Sequence, residues 1–292
     1  MEIAHRIVAI LFPMYALSAL GFFYSRRYPS DMSVANRLNM DVFVAAMIFA
    51  GLCTRSYDLA TYGGLALSMV LMVLGSGAVA WTLAKVAGQP SLALAPPMMF
   101  SNVVNLGVPL AVLAFGDQAL PWAIVLFVVS TGLHFSLGIW LLDHRTHVGN
   151  VWRNPAVLAA MAGFAVGESG IKLWPPLYMA IKMLGDISIP LALFALGVRI
   201  TDVRPHHWRA GLLGAIARPL AGMAIAWPLA KLFGLTGRQA DLLFVYGALP
   251  PAVINYVFAE RFGKHPEQVA AIALVGNLAS IFFLPLALAI VL

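Results

Sequence analysis

The stretch SNVVNLGVPL, Ser101 to Leu110, sets two amides, Asn102 and Asn105, beside Gly107 and Pro109 inside a long apolar run. Amide N–H groups donate to anions without themselves carrying charge. Proline lacks a backbone N–H and clashes with the carbonyl four residues back, and glycine is a poor helix former, so a helix is expected to break here. A half-helix that restarts at a proline turns unbonded N–H groups and the positive end of its dipole toward the break. That arrangement suits an anion such as a carboxylate. A second stretch, LPPAVINYVF from Leu249, repeats it, with Pro250 and Pro251 at the break and Asn255 and Tyr256 placed to reach the same point. The breaks are expected at Asn105–Pro109 and at Leu249–Pro251.

Other residues offer charge. Arg218, in IARPLAG, lies well inside an apolar run. A buried arginine there either complements a substrate carboxylate or pairs with a helix C-terminus. Arg37 precedes Asp41 by four residues, and Lys182 precedes Asp186 by four. One helical turn lets each pair meet on one face, either as a structural ion pair or as a group that changes protonation during a cycle. His134 reads as a structural hydrogen bonder, Glu168, His206 and His207 as solvated span ends, and Asn36 as a residue of no consequence for binding. No H-E-x-x-H or G-x-S-x-G is present, which argues against a membrane enzyme. Gly75–Ala80 formally fits G-x-G-x-x-A, but no strand precedes it, so glycine-mediated helix packing is the better reading.

The elements that must position these residues follow from composition. The 292 residues are 61% hydrophobic and 10% charged, with mean hydropathy +0.88. Soluble domains carry about 25% charged residues. Apolar runs of about 20 residues are the length that crosses a bilayer core as a helix. The chain is therefore expected to be an all-α polytopic membrane protein. Ten spans are placed at 6–25, 34–54, 61–87, 91–116, 121–142, 154–171, 176–200, 208–233, 239–262 and 267–292. The first is read as a retained helix, not a cleaved leader. Cys53 is the single cysteine, so no internal disulfide forms. The net charge of +6 is spread over short loops, as membrane-flanking charge and not a nucleic-acid surface.

Basic residues set the orientation. One set of loops holds ten: Arg26, Arg27, Lys85, Arg145, Arg153, Arg199, Arg204, Arg209, Arg261 and Lys264. The other holds five: Arg6, Arg55, Lys172, Lys231 and Arg238. The positive-inside rule makes the first set cytoplasmic, with both termini periplasmic or extracellular and the loop near Thr146 inside. Five spans per half, at 1–142 and 154–292, make the second half an inverted copy of the first. A shift of 145 residues, from Asp41 to Asp186, lays Arg37 on Lys182 and Phe49 on Phe194, and a shift of 141 lays Pro109 on Pro250. Irregular backbone at membrane depth is tolerated where it lines a cavity, and inverted-repeat carriers place their sites at such breaks.

NLGVP at 105–109, NPAVLAAMAGFAVG at 154–167 and LGDISIPLALFALGVRI at 184–200, with PPAVINYVFAERFG at 250–263 and the closing LPLALAIVL, resemble the auxin efflux carrier family over essentially the whole chain. The resemblance implies ten helices in two inverted repeats, with the fourth and ninth crossing at prolines. It implies a scaffold of helices 1, 2, 6 and 7 that commonly dimerises, and a transport domain of helices 3–5 and 8–10 that moves in an elevator-like manner. It further implies secondary transport of small carboxylates such as malate or malonate across an inner (plasma) membrane, with no cofactor. The short central loop departs from the plant exporters of auxin. A sodium-coupled carrier like the related bile acid/sodium symporters, an auxin-like aromatic carboxylate exporter and a sensor that transports nothing stay open at this point. So does the choice of proton or sodium as coupling ion.

Overall fold

The computed structural model describes residues 2–28, 31–54, 59–144, 154–200 and 207–292. Arg55, Arg145, Thr146, Arg153, Arg204 and His206 lie outside the described residues. Helices fill nearly all of the rest: α1 Glu2–Arg27, α2 Ser33–Leu38, α3 Val44–Leu52, α4 Leu59–Val86, α5 Ser91–Met99, α6 Val108–Phe115, α7 Leu120–Leu133 and α8 Ile139–Leu142. They continue as α9 Pro155–Ser169, α10 Pro175–Asp186, α11 Ser188–Ile200, α12 Trp208–Leu232, α13 Arg238–Gly247, α14 Ile254–Arg261 and α15 Pro266–Val291. Local chemistry sets several ends. Arg26 and Arg27 sit in the last turn of α1, where positive charge complements the dipole. Asn154 caps α9 by accepting from the Ala156 N–H, Pro155 occupies its first turn, and Gly170 ends it in a left-handed conformation.

Seven described helical runs are long and apolar enough to cross a membrane: Glu2–Arg27, Ser33–Leu52, Tyr62–Val86, Asp117–Leu142, Pro175–Arg199, Trp208–Leu232 and Pro266–Val291. Val103–Phe115 and Pro155–Ser169 are shorter apolar helices. Three runs contain a π-helical turn, at Asn39–Phe43, Val103–Gly107 and His134–Gly138. Each widens the helix by one residue per turn and re-aims the side chains beyond it.

The helices pack in two groups. In one, α1 lies along α11, and α3 lies against α9 and α10. In the other, α4 packs on α5 and α7, while α12 packs on α13 and α15. Small residues let backbones touch in the first group. A Cβ on Gly197 would run into the Ser18 carbonyl, and one on Gly21 into the Phe194 carbonyl. Gly185 sits as tightly on the backbone of Met47. Without a hydrophobic drive between helices in lipid, such close packing holds them together.

Candidate functional site

The backbone leaves helical geometry at two places that meet. Phe100, Ser101 and Asn102 follow α5, and Ala248 to Val253 follow α13. The two strands of backbone run antiparallel across each other. The Asn102 N–H donates to the Pro250 carbonyl at 2.8 Å, and the Ala252 N–H donates to the Phe100 carbonyl at 2.9 Å. These bonds satisfy groups that would otherwise stand bare in an apolar interior, which is why a break is tolerated there.

Three amides lock this crossing. Asn255 Nδ2 donates to the Phe100 and Ala252 carbonyls at 2.9 and 2.8 Å. Asn277, on α15, donates to the Pro251 and Ala273 carbonyls at 3.1 and 2.7 Å. Its Oδ1 accepts from Asn102 Nδ2 at 3.3 Å. Pro250, Pro251 and Asn102 thus belong to the crossing, all buried.

The first break falls earlier than its expected place at Asn105–Pro109. The chain turns at Phe100–Asn102, and Asn102 then caps the π turn by accepting from the Asn105 N–H. Pro109 sits in the first turn of α6, already helical and buried. The N–H groups of Leu106 and Gly107 bond to the Asn102 carbonyl. The backbone donors near this turn are therefore largely engaged, and the expected row of freed N–H groups after Pro109 is not found. Gly107 serves packing instead. A Cβ there would meet Leu249 and the Tyr246 ring at 2.9 and 3.1 Å.

A cavity of about 500 Å³ opens on the crossing. Ser101, Asn102 and Asn105 line its floor, and Ala252 and Val253 line it from the other arm. The Asn105 amide makes no hydrogen bond to the described residues and is only partly buried. Ser130, Thr131 and His134 come from α7 and the π turn after it, Asn36, Arg37, Asn39 and Asp41 from α2 and its π turn, and Arg199 from the end of α11. His134 stacks on Phe100, ring centroids 4.1 Å apart, and meets Phe258 edge-on. Asn39 Oδ1 and Ser101 Oγ are buried with no hydrogen-bond partner.

Arg37 and Asp41 share this cavity but form no ion pair with each other within 4.0 Å. The helix passes into the π turn at Asn39–Phe43, with Asp41 inside that turn, so the spacing of four residues no longer spans one regular α turn. Lys182 and Asp186, in regular α10, do pair at 2.8 Å with both side chains about half exposed. They line a second cavity of about 280 Å³ with Asp117, Thr54 and Tyr178. Arg218 is in neither cavity. It is buried, and one Nη donates to the carbonyl of Gly247, the last residue of α13, at 2.9 Å. Tyr256 also misses the main cavity. Its hydroxyl donates to Glu260 at 2.8 Å, and it borders a small neighbouring pocket with Leu196 and Asn277. Asn36, expected to be inert, lines the main cavity.

Spacing in the sequence did not single out Asn39, Ser101, Ser130, Thr131, Arg199 or Asn277 as site residues. The available signal was polarity inside apolar runs, Ser130–Thr131 within VLFVVSTGL and Asn277 within LVGNLAS.

Long apolar helices, with two interrupted ones crossing over a polar cavity, are the build of a multi-pass membrane protein. The comparisons carry this to a family. The family described as Membrane transport protein matches residues 148–288. The chain is 24% identical over 178 residues to Auxin efflux carrier component 6 of Arabidopsis thaliana, covering 58% of this chain and 29% of that one. It is 28% identical over 106 residues to Auxin efflux carrier component 3a of Oryza sativa subsp. japonica, covering 35% and 17%. It is 24% identical over 200 residues to a Rhizobium meliloti protein named "Putative malonate transporter", covering 62% and 61%. The match thus spans less than two thirds of the length of each of these relatives. The resemblance to the auxin efflux carrier family holds, and that family consists of transporters, not enzymes.

Proposed function

We propose that this chain is a secondary carrier of small organic anions that works by alternating access, with the crossing of the broken helices as its substrate site. The observation that supports this reading most directly is the pair of cavities. Both use one helical run, Ser33–Leu52, and both use the run from α10 through α11, but at opposite ends. The larger reaches Asn102 and Asn105 at the crossing, and the smaller does not. A carrier caught open to one face has this arrangement, with its site wet on one side and sealed on the other.

Neutral donors suit a transported anion. Asn105 offers an amide without a fixed countercharge, so the ion is held by hydrogen bonds of modest net worth and can leave again. The Arg218 guanidinium, on the C-terminal carbonyl of α13, holds that arm in place and complements its dipole. The helix pairings support an inverted repeat of five spans at 1–142 and 154–292, because α1 on α11 answers α9 on α3, and α4 on α5 answers α12 on α13. On this reading the α1, α3, α9, α10 and α11 group is a scaffold that pairs with a second copy. The other group carries the substrate in an elevator-like movement across an inner (plasma) membrane, with both termini outside. The relative named for malonate makes small dicarboxylates the first candidates. The auxin carriers among the relatives make an aromatic carboxylate the second.

The experiment is a screen of organic acids for thermal stabilisation of the purified protein, followed by counterflow in liposomes. A ligand at 100 times its Kd stabilises the native state by about 2.7 kcal/mol. A hit that raises the melting temperature and exchanges across the vesicle supports the carrier. Stabilisation without exchange supports a sensor, and sodium-dependent exchange supports a sodium-coupled carrier.

A further inference from the structure

Among the described residues, Arg218 is the only fully buried lysine or arginine, 1% exposed near the middle of α12. A guanidinium in an apolar interior needs a countercharge or a full set of acceptors. Arg218 has neither. No described carboxylate pairs with it. Its Nε has no hydrogen-bond partner, and one Nη donates to the Gly247 carbonyl at 2.9 Å. That carbonyl belongs to the C-terminal end of α13, where the helix dipole amounts to about half a negative charge. Half a charge does not cancel a whole one, so a net positive field remains in a medium of low dielectric.

Packing holds this charge directly behind the crossing. A Cβ on Gly222 would run into both the Arg218 guanidinium and the Gly247 carbonyl, so α12 and α13 leave neither group room to withdraw. Gly247 stands three residues before Pro250, whose carbonyl accepts from the Asn102 N–H. Tyr246 and Leu249, on either side of Gly247, lie against Gly107 of the other arm. Three residues of extended chain span about 10 Å, which puts the guanidinium within roughly 14 Å of the crossing. At such a range, with an effective dielectric of about 20, a full charge changes the binding of a unit charge by about ten-fold.

We propose that Arg218 sets the charge class of the cargo: its guanidinium, fixed behind the crossing without a countercharge, favours anions there through its field, and favours them more the more negative charge they carry. The inference rests on the reading of the crossing as an organic-anion site. It makes Arg218 a specificity residue that acts without touching the ion, in addition to its bond to α13. The neutral groups at the cavity floor then orient the ion by hydrogen bonds, while a charge that cannot close on it selects it and leaves it free to depart.

The test uses the full chain in proteoliposomes, with malonate, a dianion at neutral pH, and its monoamide malonamate, a monoanion. The KM of exchange is read for each at about 20 and about 200 mM potassium chloride. The parent protein is expected to prefer malonate by about ten-fold at both concentrations, because a buried charge is little screened. Arg218→Gln keeps a donor for the Gly247 carbonyl and removes the charge. It should raise KM about ten-fold for malonamate and about 100-fold for malonate, so that the preference between them disappears. Arg218→Met, which loses the donor as well, should lower the melting temperature further and lose the preference equally. An arginine that only braces α13 would weaken both probes alike and leave their ratio unchanged, and that result overturns the proposal. Where neither variant folds, the parent protein decides. A preference that persists at high salt supports a buried charge, and one that collapses there belongs to exposed charges and overturns the proposal. A folded parent protein that exchanges neither probe overturns the carrier reading and this inference with it. Exchange without a preference for the dianion overturns the inference alone.

Discussion

Asn102, Asn255 and Asn277 spend their amides on the crossing, whereas Asn105 keeps its side chain for the cavity. The two kinds of asparagine should fail differently. Asn105→Ala is expected to weaken anion binding about ten-fold, near 1.4 kcal/mol, with little change in melting temperature. Asn105→Asp is expected to bind worse still, because it sets a like charge beside the ion. Asn277→Ala strips a bond from the Pro251 carbonyl and should destabilise the fold by about 1–3 kcal/mol. Calorimetry with an identified substrate and a thermal melt separate the two effects. Tight binding by Asn105→Asp would place the anion elsewhere. The acidic residues also divide. Asp186 sits in a half-exposed ion pair, a kind worth about 0–1 kcal/mol. Asp41 lines the larger cavity with Arg37 and Arg199. We expect Asp41→Asn to change the rate of anion exchange in folded protein and Asp186→Asn to leave it. Intact exchange in both folded variants would remove these carboxylates from the cycle.

At the scale of elements, long apolar runs were legible because a bilayer imposes a length: each expected span overlaps a helix or an interrupted pair, and seven of the described runs are long and apolar enough to cross a membrane. The expected 239–262, for example, is α13, the break and α14. The interruptions themselves were legible only roughly. Prolines marked the second break, but the first turn is made by Phe100–Asn102 pairing with Pro250–Ala252, a contact between residues about 150 apart that no local pattern encodes. The π turn at Asn39–Phe43 likewise breaks the four-residue spacing that paired Arg37 with Asp41 on paper. The neutral lining residues Asn39, Ser101, Ser130 and Thr131 carry no periodic signal, so only packing gathers them. The glycines allow a test of that packing. Gly197 touches the Ser18 carbonyl, while a Cβ at Gly132 would meet open space. Gly197→Ala should part α1 from α11, at a cost of about 1–3 kcal/mol as for other overpacked sites. Gly132→Ala, with room for its Cβ inside α7, should be neutral or stabilising by up to about 1 kcal/mol. A melting temperature unchanged in Gly197→Ala would mean that α1 and α11 do not approach as closely as described.

On the proposed reading, the cavities at the two ends of Ser33–Leu52 have to stay apart, so the face to which each opens is the property to test. Cys53, the single cysteine, is buried, so it contributes little background to labelling from either face, and Cys53→Ser removes what remains. In that background Asn36→Cys reports on the larger cavity, which Asn36 lines. Asp117→Cys reports on the smaller one. By the positive-inside rule the loop charges of the sequence, ten against five, are expected to place Arg26 and Arg27 on the cytoplasmic side. Asn36 follows them closely in the chain, so the larger cavity should open to the cytoplasm. An impermeant thiol reagent is therefore expected to label Asn36→Cys in inside-out vesicles and Asp117→Cys in right-side-out vesicles. A bound anion should slow labelling of Asn36→Cys, because it occupies the same cavity and, if the protein alternates, shifts the population that exposes it. A reporter fused after Leu292 should be inactive if it functions only in the cytoplasm. Labelling of both cysteines from one side would contradict a pair of cavities at opposite faces. The reverse pattern, with an active cytoplasmic reporter, would keep the two cavities but turn the molecule over in the membrane.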